Sequence, residues 1–399
     1  MQYIKRLHYL RTVEPFMGKN IIKAITGQRR VGKTYFLLEL MDLVKAANKK
    51  ANIIYINKEY NEHANIQNHD QLIQFAESKI NKKTSNHLFI DEIQDITGFE
   101  KALRHFHAKE EIEVYCTGSN ANMLSGELAT YLSGRYIEIK MYSLSYPEFL
   151  VFHKLTDNDE NMYKYFTFGG LPYLIHLTPE KQVINEYLKN IYNTILYKDV
   201  VGRWNLRNSS FLENLIIYIC TNTGNIISAR RISDFLKSQQ IKMSPQLILD
   251  YLDYLQQAFF IYKVKRMGID GRKIFEIGEK YYFEDIGIRN ALVGYQQGHI
   301  NQILENIVFN HLKIAGYEVK IGIFGDKEID FVAEKSGVCK YIQVTYSITD
   351  EQVHKREFGN LLQIKDNHEK IVVSTDPYPS DYQGCKHLHI RNFLKEIVS

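Results

Sequence analysis

The sequence has few cysteines, no long apolar run and almost no excess of charge of either sign. Its four cysteines, Cys116, Cys220, Cys339 and Cys385, lie far apart and form no CxxC or Cys/His cluster. This spacing favours neither a structural zinc site nor a disulfide framework, and it is typical of a reducing compartment. No run of about 18 apolar residues occurs, so we expect no transmembrane helix.

The balance of charge by itself excludes few classes of function. The 399 residues include 50 Lys and Arg against 46 Asp and Glu, which gives a net charge of +4. Such a mildly basic chain is compatible with nucleic-acid binding but does not argue for it. The first residues are basic and aromatic without an apolar signal core, so we expect a cytoplasmic protein. The length predicts roughly two to four domains.

The strongest motif is a glycine-bearing turn between an apolar run and a helical pattern. Residues 27–34 read GQRRVGKT and fit the G-x-x-x-x-G-K-[ST] spacing of a phosphate-binding P-loop. Its two glycines let backbone N–H groups point at phosphate oxygens, and the helix that follows directs its positive dipole end at the same anion. We predict that Lys33 binds the β- and γ-phosphates and that Thr34 ligates Mg²⁺. The predicted nucleotide-binding residues are Gly27, Gln28, Arg29, Arg30, Val31, Gly32, Lys33 and Thr34.

A second apolar run ends in two acidic residues. Residues 87–92 read HLFIDE, which is the pattern of a buried parallel strand whose carboxyl end opens into a site. We interpret this as a Walker B strand, in which Asp91 holds the Mg²⁺ shell. Glu92 is then the catalytic residue that orients or deprotonates the attacking water.

Two further catalytic candidates follow downstream. The strand at residues 113–118 leads into Ser119 and Asn120, side chains able to hydrogen-bond the γ-phosphate or the water. The alternative is a polar turn without a ligand. Arg135 suits stabilisation of charge on the transferring phosphoryl group, in cis or in trans. The alternative is a structural arginine that pairs with Glu138 or Glu148.

These motifs, together with Leu144–Phe149, Phe168–Pro172 and Tyr282–Gly287, resemble the prokaryotic AAA+-like ATPases of the archaeal-ATPase/AAA_14 group. The resemblance covers nearly the whole chain. It implies ATP and Mg²⁺ as ligands and places Arg135 where these proteins carry an arginine finger. A finger in trans would require a homo-oligomer. Members commonly carry a C-terminal DUF4143 region, with a winged helix and a nuclease-like fold, and the resemblance does not define a cellular role.

The middle of the chain loses the alternation of strand and helix. Residues 151–204 predict a helical lid or linker, and residues 205–295 predict a winged helix with a β-hairpin formed by 260–266 and 273–276. Residues 203–275 carry eleven basic and five acidic side chains, which favours duplex DNA as a partner. The third predicted helix has no basic residue, so a protein-binding or intramolecular module is an equal alternative.

Residues 296–399 have the order α-β-β-β-α and resemble the PD-(D/E)XK nuclease fold. Glu305, Asp330 and Gln343 match its metal-binding positions, and the candidates there are a polar structural network, a weak metal site or a relic of one. Thr345 occupies the position of the lysine that activates water in active members, so we expect no nuclease activity. Lys340 and Lys355 are the candidates to replace that lysine, and an atypical ATP-driven nuclease is the alternative.

The sequence as a whole predicts an α/β protein. Residues 1–150 form a P-loop ATPase core of the AAA+-like class, followed by the lid, the winged helix and the nuclease-like domain. The predicted function is Mg²⁺-dependent ATP hydrolysis coupled to DNA binding or remodelling. The alternative is a slow ATP-dependent switch that recruits a protein partner in signalling or defence. No guanine-recognition signature follows the core strands, which favours ATP over GTP.

Overall fold

The computed structural model describes residues 4–124, 132, 134–269, 278–348 and 350–398. The chain divides into two compact units, residues 1–141 with 257–259, and residues 142–256 with 260–399. The main part of the first unit ends at residue 141, near the predicted 150, and the other three predicted segments lie in the second unit except for residues 257–259. Within the described ranges, no helix is both long and apolar enough to span a bilayer.

The first unit alternates strands with helices, as the sequence predicts. Its strands are β1 Ile22–Thr26, β2 Asn52–Asn57, β3 Asn86–Asp91, β4 Glu113–Gly118 and β5 Tyr136–Lys140. Its helices are α1 Leu7–Val13, α2 Lys33–Ala47, α3 His69–Lys79 and α4 Phe99–Lys109. All residues of β1 and β3 are buried, which explains why both strands are mainly apolar at their centres.

The five strands form one parallel sheet in the order β2-β3-β4-β1-β5. The connection from β1 leads to the far side of the sheet, while the connection from β4 crosses β1 to reach β5. The crevice between β1 and β4 is therefore the point where the direction of winding changes, and such points bind ligands in open α/β sheets. The loops after β1, β3 and β4 meet at this edge.

The second unit begins with helices. They are α5 Tyr146–His153, α6 Asp159–Phe168 and α7 Lys181–Thr194, followed by α8 Ser209–Thr221, α9 Ala229–Ser238, α10 Pro245–Gln257 and α11 Ile286–Val293. The C-terminal helices are α12 Ile300–Ile314, α13 Glu351–Leu362 and α14 Ile390–Glu396. Side chains of Asn158, Ser145 and Asp285 cap the N-termini of α6, α5 and α11, as their sequence positions favour.

The second unit contains two sheets. The three-stranded sheet has the order β6-β9-β7 and comprises β6 Ile226–Ile227, β7 Ile261–Val264 and β9 Glu279–Phe283. The six-stranded sheet has the order β14-β13-β12-β11-β10-β8. Its strands are β8 Arg266–Gly268, β10 Glu318–Phe324, β11 Lys327–Lys335, β12 Val338–Val344, β13 Glu369–Ser374 and β14 Lys386–His389.

The predicted hairpin differs from the observed pairing. Residues 273–276, with Arg272 beside them, lie outside the described residues. The partner of β7 is β9, which begins three residues later than the expected strand ended. After β7 the chain leaves the three-stranded sheet, because Arg266–Gly268 pairs with β10 in the six-stranded sheet. Arg266 therefore belongs to a different sheet from Lys263, and the two do not share a wing.

The two later motifs of the family resemblance meet in a tight backbone joint. Gly169 ends α6 with a φ of +74°, and a Cβ there would lie 2.3 Å from the Asp285 carboxylate. A Cβ on Gly170 would lie 2.4 Å from the carbonyl oxygen of Leu144, and the Gly170 N–H donates to Asp285 Oδ2 at 2.8 Å. These glycines are required by close packing, so the two motifs stabilise the second unit.

A buried histidine makes the second unit sensitive to acid. His311 on α12 is fully buried, and its Nε2 accepts the Tyr146 N–H at 2.9 Å. Its Nδ1 therefore carries the proton and donates to the Ile307 carbonyl at 2.8 Å. Burial lowers the pKa of His311 to about 4. The unfolded chain binds a proton below pH ~6.5 and the folded chain does not until pH ~4, so stability falls as pH decreases across this window.

We expect His311→Gln to remove that dependence, because the glutamine amide can keep both hydrogen bonds without titrating. Between pH 7 and pH 5 the wild type should lose about 2 kcal/mol of unfolding free energy relative to the variant. Denaturant-induced unfolding at the two pH values measures this difference. The matched change His368→Gln, at an exposed position, should leave the pH dependence intact. Parallel pH profiles for wild type and His311→Gln would contradict the assignment.

Candidate functional site

The P-loop has the backbone geometry that its sequence predicts. Gly27 and Gly32 have φ values of +146° and +100°, and α2 begins at Lys33. A Cβ on Gly27 would lie 2.2 Å from the carbonyl oxygen of Met141, so this position accepts only glycine. Arg30 also has a positive φ, at +72°, and its side chain is exposed. From α1, the guanidinium of Arg6 donates to the Val31 carbonyl at 3.1 Å and braces the loop.

Two P-loop side chains lie inside the loop. The Lys33 ammonium donates to the Gln28 carbonyl at 3.0 Å and is almost fully buried. The Gln28 side chain is completely buried, and in the part of the chain that the structure describes neither its amide nitrogen nor its oxygen has a hydrogen-bond partner. A buried amide without a partner is costly, so a polar ligand in the loop would relieve this defect.

Asp91 occupies the carboxyl end of β3 and gathers three side chains from neighbouring elements. Its Oδ1 accepts a hydrogen bond from Thr117 at 2.5 Å and its Oδ2 accepts one from Asn57 at 3.3 Å. Thr34, the last residue of the P-loop, also hydrogen-bonds this carboxyl. Burial raises the pKa of Asp91, and the hydrogen bonds from Thr117 and Thr34 oppose that rise. The predicted pair of Mg²⁺ ligands therefore lies together.

Glu92 is held in a left-handed conformation, with a φ of +57°, directly after β3. Its N–H donates to Thr117 Oγ1 at 2.9 Å, and its carboxylate accepts hydrogen bonds from Ser119, at 3.1 Å, and from Gln94. Burial alone would raise the pKa of Glu92, but the charges of Lys33 and Arg29 hold it below the ordinary value. The ionised carboxylate is the form that can accept a proton from water.

The side chains that hold the two acids are not all the ones that the sequence predicts. Ser119 contacts Glu92, and Asn120 is buried beside it at the same edge of the sheet. Sequence reasoning missed Thr117, which bonds both acids, and Gln94 and Asn57, which hold one acid each. The register of the parallel strands supplies the missing signal, since it places Asn57 beside Asp91.

Of the roles left open for Arg135, the strand register contradicts the one in cis. Tyr136, the next residue, pairs with Ile22 at the amino end of β1, whereas the P-loop follows Thr26 at the carboxyl end. Four strand residues, or about 13 Å, therefore separate Arg135 from the loop, which exceeds the reach of its side chain. A role in trans stays a prediction. The arginine that approaches Glu92 is Arg29, which is buried and lies 3.6 Å from the Glu59 carboxylate.

The predicted metal site in the second unit has other contacts. Gln343 Oε1 accepts the Asp330 N–H at 2.7 Å, and its Nε2 donates to Glu357 at 3.0 Å, so the amide is fully used. Glu305 accepts from the Lys280 ammonium at 2.9 Å. Among the described residues, no group of three or more His, Cys, Asp or Glu is arranged to hold a metal ion. The vestigial metal site at Glu305, Asp330 and Gln343 stays a prediction, and the contacts of Gln343 and Glu305 are those of a polar structural network.

The two lysines considered as replacements do not approach these acids. Lys340 pairs with Glu369, and the exposed Lys355 pairs with Glu351 at 3.0 Å along its own helix. Thr345 is buried and its N–H donates to the Val373 carbonyl at 3.0 Å. The cation that contacts Glu305 is Lys280. No sequence spacing indicated Lys280, because it lies on β9 in the three-stranded sheet.

Comparison with known proteins identifies relatives over the whole chain. An uncharacterized protein from Haemophilus influenzae is 34% identical over 399 residues, covering 98% of both chains. An uncharacterized protein from Methanocaldococcus jannaschii is 30% identical over 355 residues, covering 85% of this chain and 78% of its own. The chain belongs to the same family as these two proteins. Its residues 19–150 match the AAA domain family AAA_14.

The fold agrees with this AAA domain. The Walker-type ATPase of Pyrococcus abyssi matches with a TM-score of 0.51 and 15% identity, covering 73% of this chain and 96% of its own. The expectation of a P-loop core of the AAA-like class is thus confirmed. The expectation of a DUF4143 region is corrected. Residues 159–298 match the domain of unknown function DUF8612 instead.

Proposed function

We propose that this protein is a Mg²⁺-dependent ATP hydrolase whose reaction takes place at the crevice between β1 and β4. The observation that supports this most strongly is the convergence of Lys33, Thr34, Asp91 and Glu92 at one sheet edge, with Glu92 fixed by Ser119 and Gln94. These groups bind phosphate, coordinate a hard cation and accept a proton.

The P-loop residues fit the triphosphate. The glycine backbone and the N-terminus of α2 donate to phosphate oxygens, and Lys33 supplies a positive charge at the terminal phosphate. Thr34 and Asp91 provide hydroxyl and carboxylate oxygens, which are the donors that Mg²⁺ prefers. Bound there, Mg²⁺ neutralises charge on the phosphate oxygens.

Glu92 is the proposed general base. Its ionised carboxylate orients the attacking water and accepts its proton, while Ser119 and Gln94 fix the carboxylate by hydrogen bonds. Thr117 links this group to the metal position, because its hydroxyl donates to Asp91 and accepts the Glu92 N–H. Asn120, at the end of the same segment, is the proposed contact to the γ-phosphate.

Arg29 is the proposed charge-stabilising residue on the transferring phosphoryl group. It belongs to the P-loop, its side chain is buried, and its charge acts on Glu92. A positive charge there would oppose the charge that develops on the phosphoryl oxygens. Arg29 thus takes within one chain the role that sequence analysis gave to Arg135. If Arg135 also acts, it acts across an oligomer interface.

Duplex DNA is the partner that the arrangement around α8 to α10 supports first. The three helices α8, α9 and α10, with β6 between the first two and β7 and β9 after the third, are the elements of a winged helix. Arg230 and Arg231 are exposed at the start of α9, and Lys263 is exposed on β7. Exposed cations of this kind neutralise phosphates without reading sequence.

A protein partner is the second candidate, and specific exposed groups favour it. The third helix, α10, presents Leu249 and Asp253 to solvent, and no basic residue lies on it. Phe235 on α9 is 60% exposed and Ile241 is 47% exposed. An acidic and partly apolar face suits protein contact better than DNA, and the ATPase would then act as a slow switch.

Steady-state ATP hydrolysis with Mg²⁺, measured with and without duplex DNA at two salt concentrations, tests the proposal. Lys33→Ala is the blank, and Lys45→Ala, exposed at the far end of α2, is the matched control. We expect turnover in the wild type and in Lys45→Ala, and its loss in Lys33→Ala. Stimulation by DNA that weakens steeply with salt would support duplex DNA as the partner. Turnover indifferent to DNA would favour the switch, and absence of Lys33-dependent turnover would overturn the proposal.

A further inference from the structure

A buried ammonium lies among carboxylates in the second unit. Lys280 on β9 is 4% exposed in its side chain, and its Nζ lies 2.9 Å from Glu305 and 2.8 Å from Glu328. Asp330, partly buried two residues along β11 from Glu328, also acts on Lys280 by its charge. We call Glu305, Glu328 and Asp330 the carboxylate cluster. Its members come from α12 and β11, whereas Lys280 comes from the three-stranded sheet.

The surroundings fix the Glu305 carboxylate. The Tyr282 hydroxyl donates to the same oxygen that Lys280 contacts. The other carboxylate oxygen faces Gly224, where an added Cβ would lie 3.0 Å away. Gly224 has a φ of +74° and its N–H donates to the Tyr281 carbonyl at 3.3 Å, so it is held against Glu305. The carboxylate therefore has little freedom to turn toward solvent.

Such a cluster requires a cation. Carboxylates that lose water repel one another and are strongly destabilised unless a positive charge lies between them. Burial alone would lower the pKa of Lys280, but the charges of Glu305, Asp330 and Glu328 raise it, so the ammonium remains charged. Burial and the charge of Glu305 raise the pKa of Asp330. In many proteins a divalent metal ion supplies the charge at sites built from oxygens.

We propose that the Lys280 ammonium is the permanent cation of the carboxylate cluster. It supplies the positive charge that a divalent metal ion supplies at other sites built from oxygens. It ties β9 to α12 and β11 and makes this part of the fold independent of metal. The N–O distances of 2.8 and 2.9 Å around Nζ exceed metal–oxygen distances. Ca²⁺, with bonds of about 2.3–2.6 Å and flexible geometry, fits a vacated site better than Mg²⁺, which demands about 2.0–2.1 Å.

The test replaces Lys280 by methionine in the full chain and follows thermal unfolding with EDTA, CaCl₂ or MgCl₂. Lys263→Met, at an exposed lysine on the adjacent β7 whose ion pair with Glu279 spans 3.8 Å, is the matched control. In EDTA we expect the midpoint of Lys280→Met to fall by roughly 6–12 °C and that of the control to change little. Millimolar Ca²⁺ should restore at least half of the loss, Mg²⁺ less, and neither should shift the wild type.

A second variant covers the case in which Lys280→Met does not fold. Lys280→Met/Glu305→Gln removes a positive and a negative charge together, so it should unfold above the single variant in EDTA and respond less to Ca²⁺. A wild-type midpoint that rises with Ca²⁺ and loses that response in Asp330→Asn would overturn the proposal, since the site would then be open. Equal loss in Lys280→Met with and without Ca²⁺ would overturn it as well.

Discussion

Glu92→Gln is expected to reduce the rate of ATP hydrolysis by about 10²–10⁴-fold while leaving ATP binding within a fewfold of the wild type. The amide keeps the size of the side chain and can still meet Ser119, but it cannot accept a proton from water. The P-loop contacts of the triphosphate involve other residues, so binding should persist. Single-turnover hydrolysis and equilibrium binding of a fluorescent ATP analogue measure the two quantities separately.

The control for this variant is Glu111→Gln, an exposed change just before β4 at the opposite edge of the sheet. It alters charge equally and should leave both quantities unchanged. If Glu92→Gln retained a tenth or more of the wild-type rate, the general base would lie elsewhere. If Glu92→Gln lost ATP binding as completely as Lys33→Ala, the substitution would have disturbed the P-loop. The expectation that ATP binding persists without the Glu92 carboxylate would then be contradicted.

Arg29→Ala is expected to lower kcat by about 10³-fold with a much smaller effect on KM. A charge that acts on the transferring phosphoryl group stabilises the transition state more than the bound substrate, and this difference appears in kcat. Arg29→Lys should recover part of the rate, because it restores the charge but not the planar group. Arg104→Ala, exposed on α4, is the matched control.

Mixing experiments separate the two arginines. Arg29 acts within its own chain, so adding Lys33→Ala protein to Arg29→Ala protein should restore no turnover. If Arg135 acts in trans, the same mixture with Arg135→Ala should recover turnover, because each inactive chain completes the other's site. Recovery with Arg29→Ala would contradict its placement in cis. An unchanged rate in Arg135→Ala would show that Arg135 has no catalytic role.

The P-loop and the acidic strand could be predicted because their chemistry is local. The eight residues from Gly27 to Thr34 are contiguous, and the backbone they require follows from the positions of two glycines. An apolar run that ends in two acids must place them at a strand end, where they are confirmed at the carboxyl end of β3. Such short-range patterns need no knowledge of which strand lies beside which.

The errors of the sequence analysis arise where strand neighbours matter. Arg135 lies only fifteen residues after Asn120, yet the parallel pairing of β5 with β1 places it at the edge away from the P-loop. Thr117 and Asn57 read as ordinary strand residues, and the register turns them into partners of Asp91. The cation beside Glu305 could not be predicted for the same reason, since no pattern in residues 296–399 indicates that Lys280 enters from β9.

The sequence by itself thus determined the phosphate-binding loop, the acidic pair and the alternation of elements in the first unit. These depend on backbone conformation and periodicity over fewer than ten residues. Only the tertiary structure decided which arginine faces Glu92, which side chains hold the acids, and which cation neutralises the carboxylate cluster. Those contacts join residues far apart in the sequence, and buried charges select partners by distance in space rather than by separation along the chain.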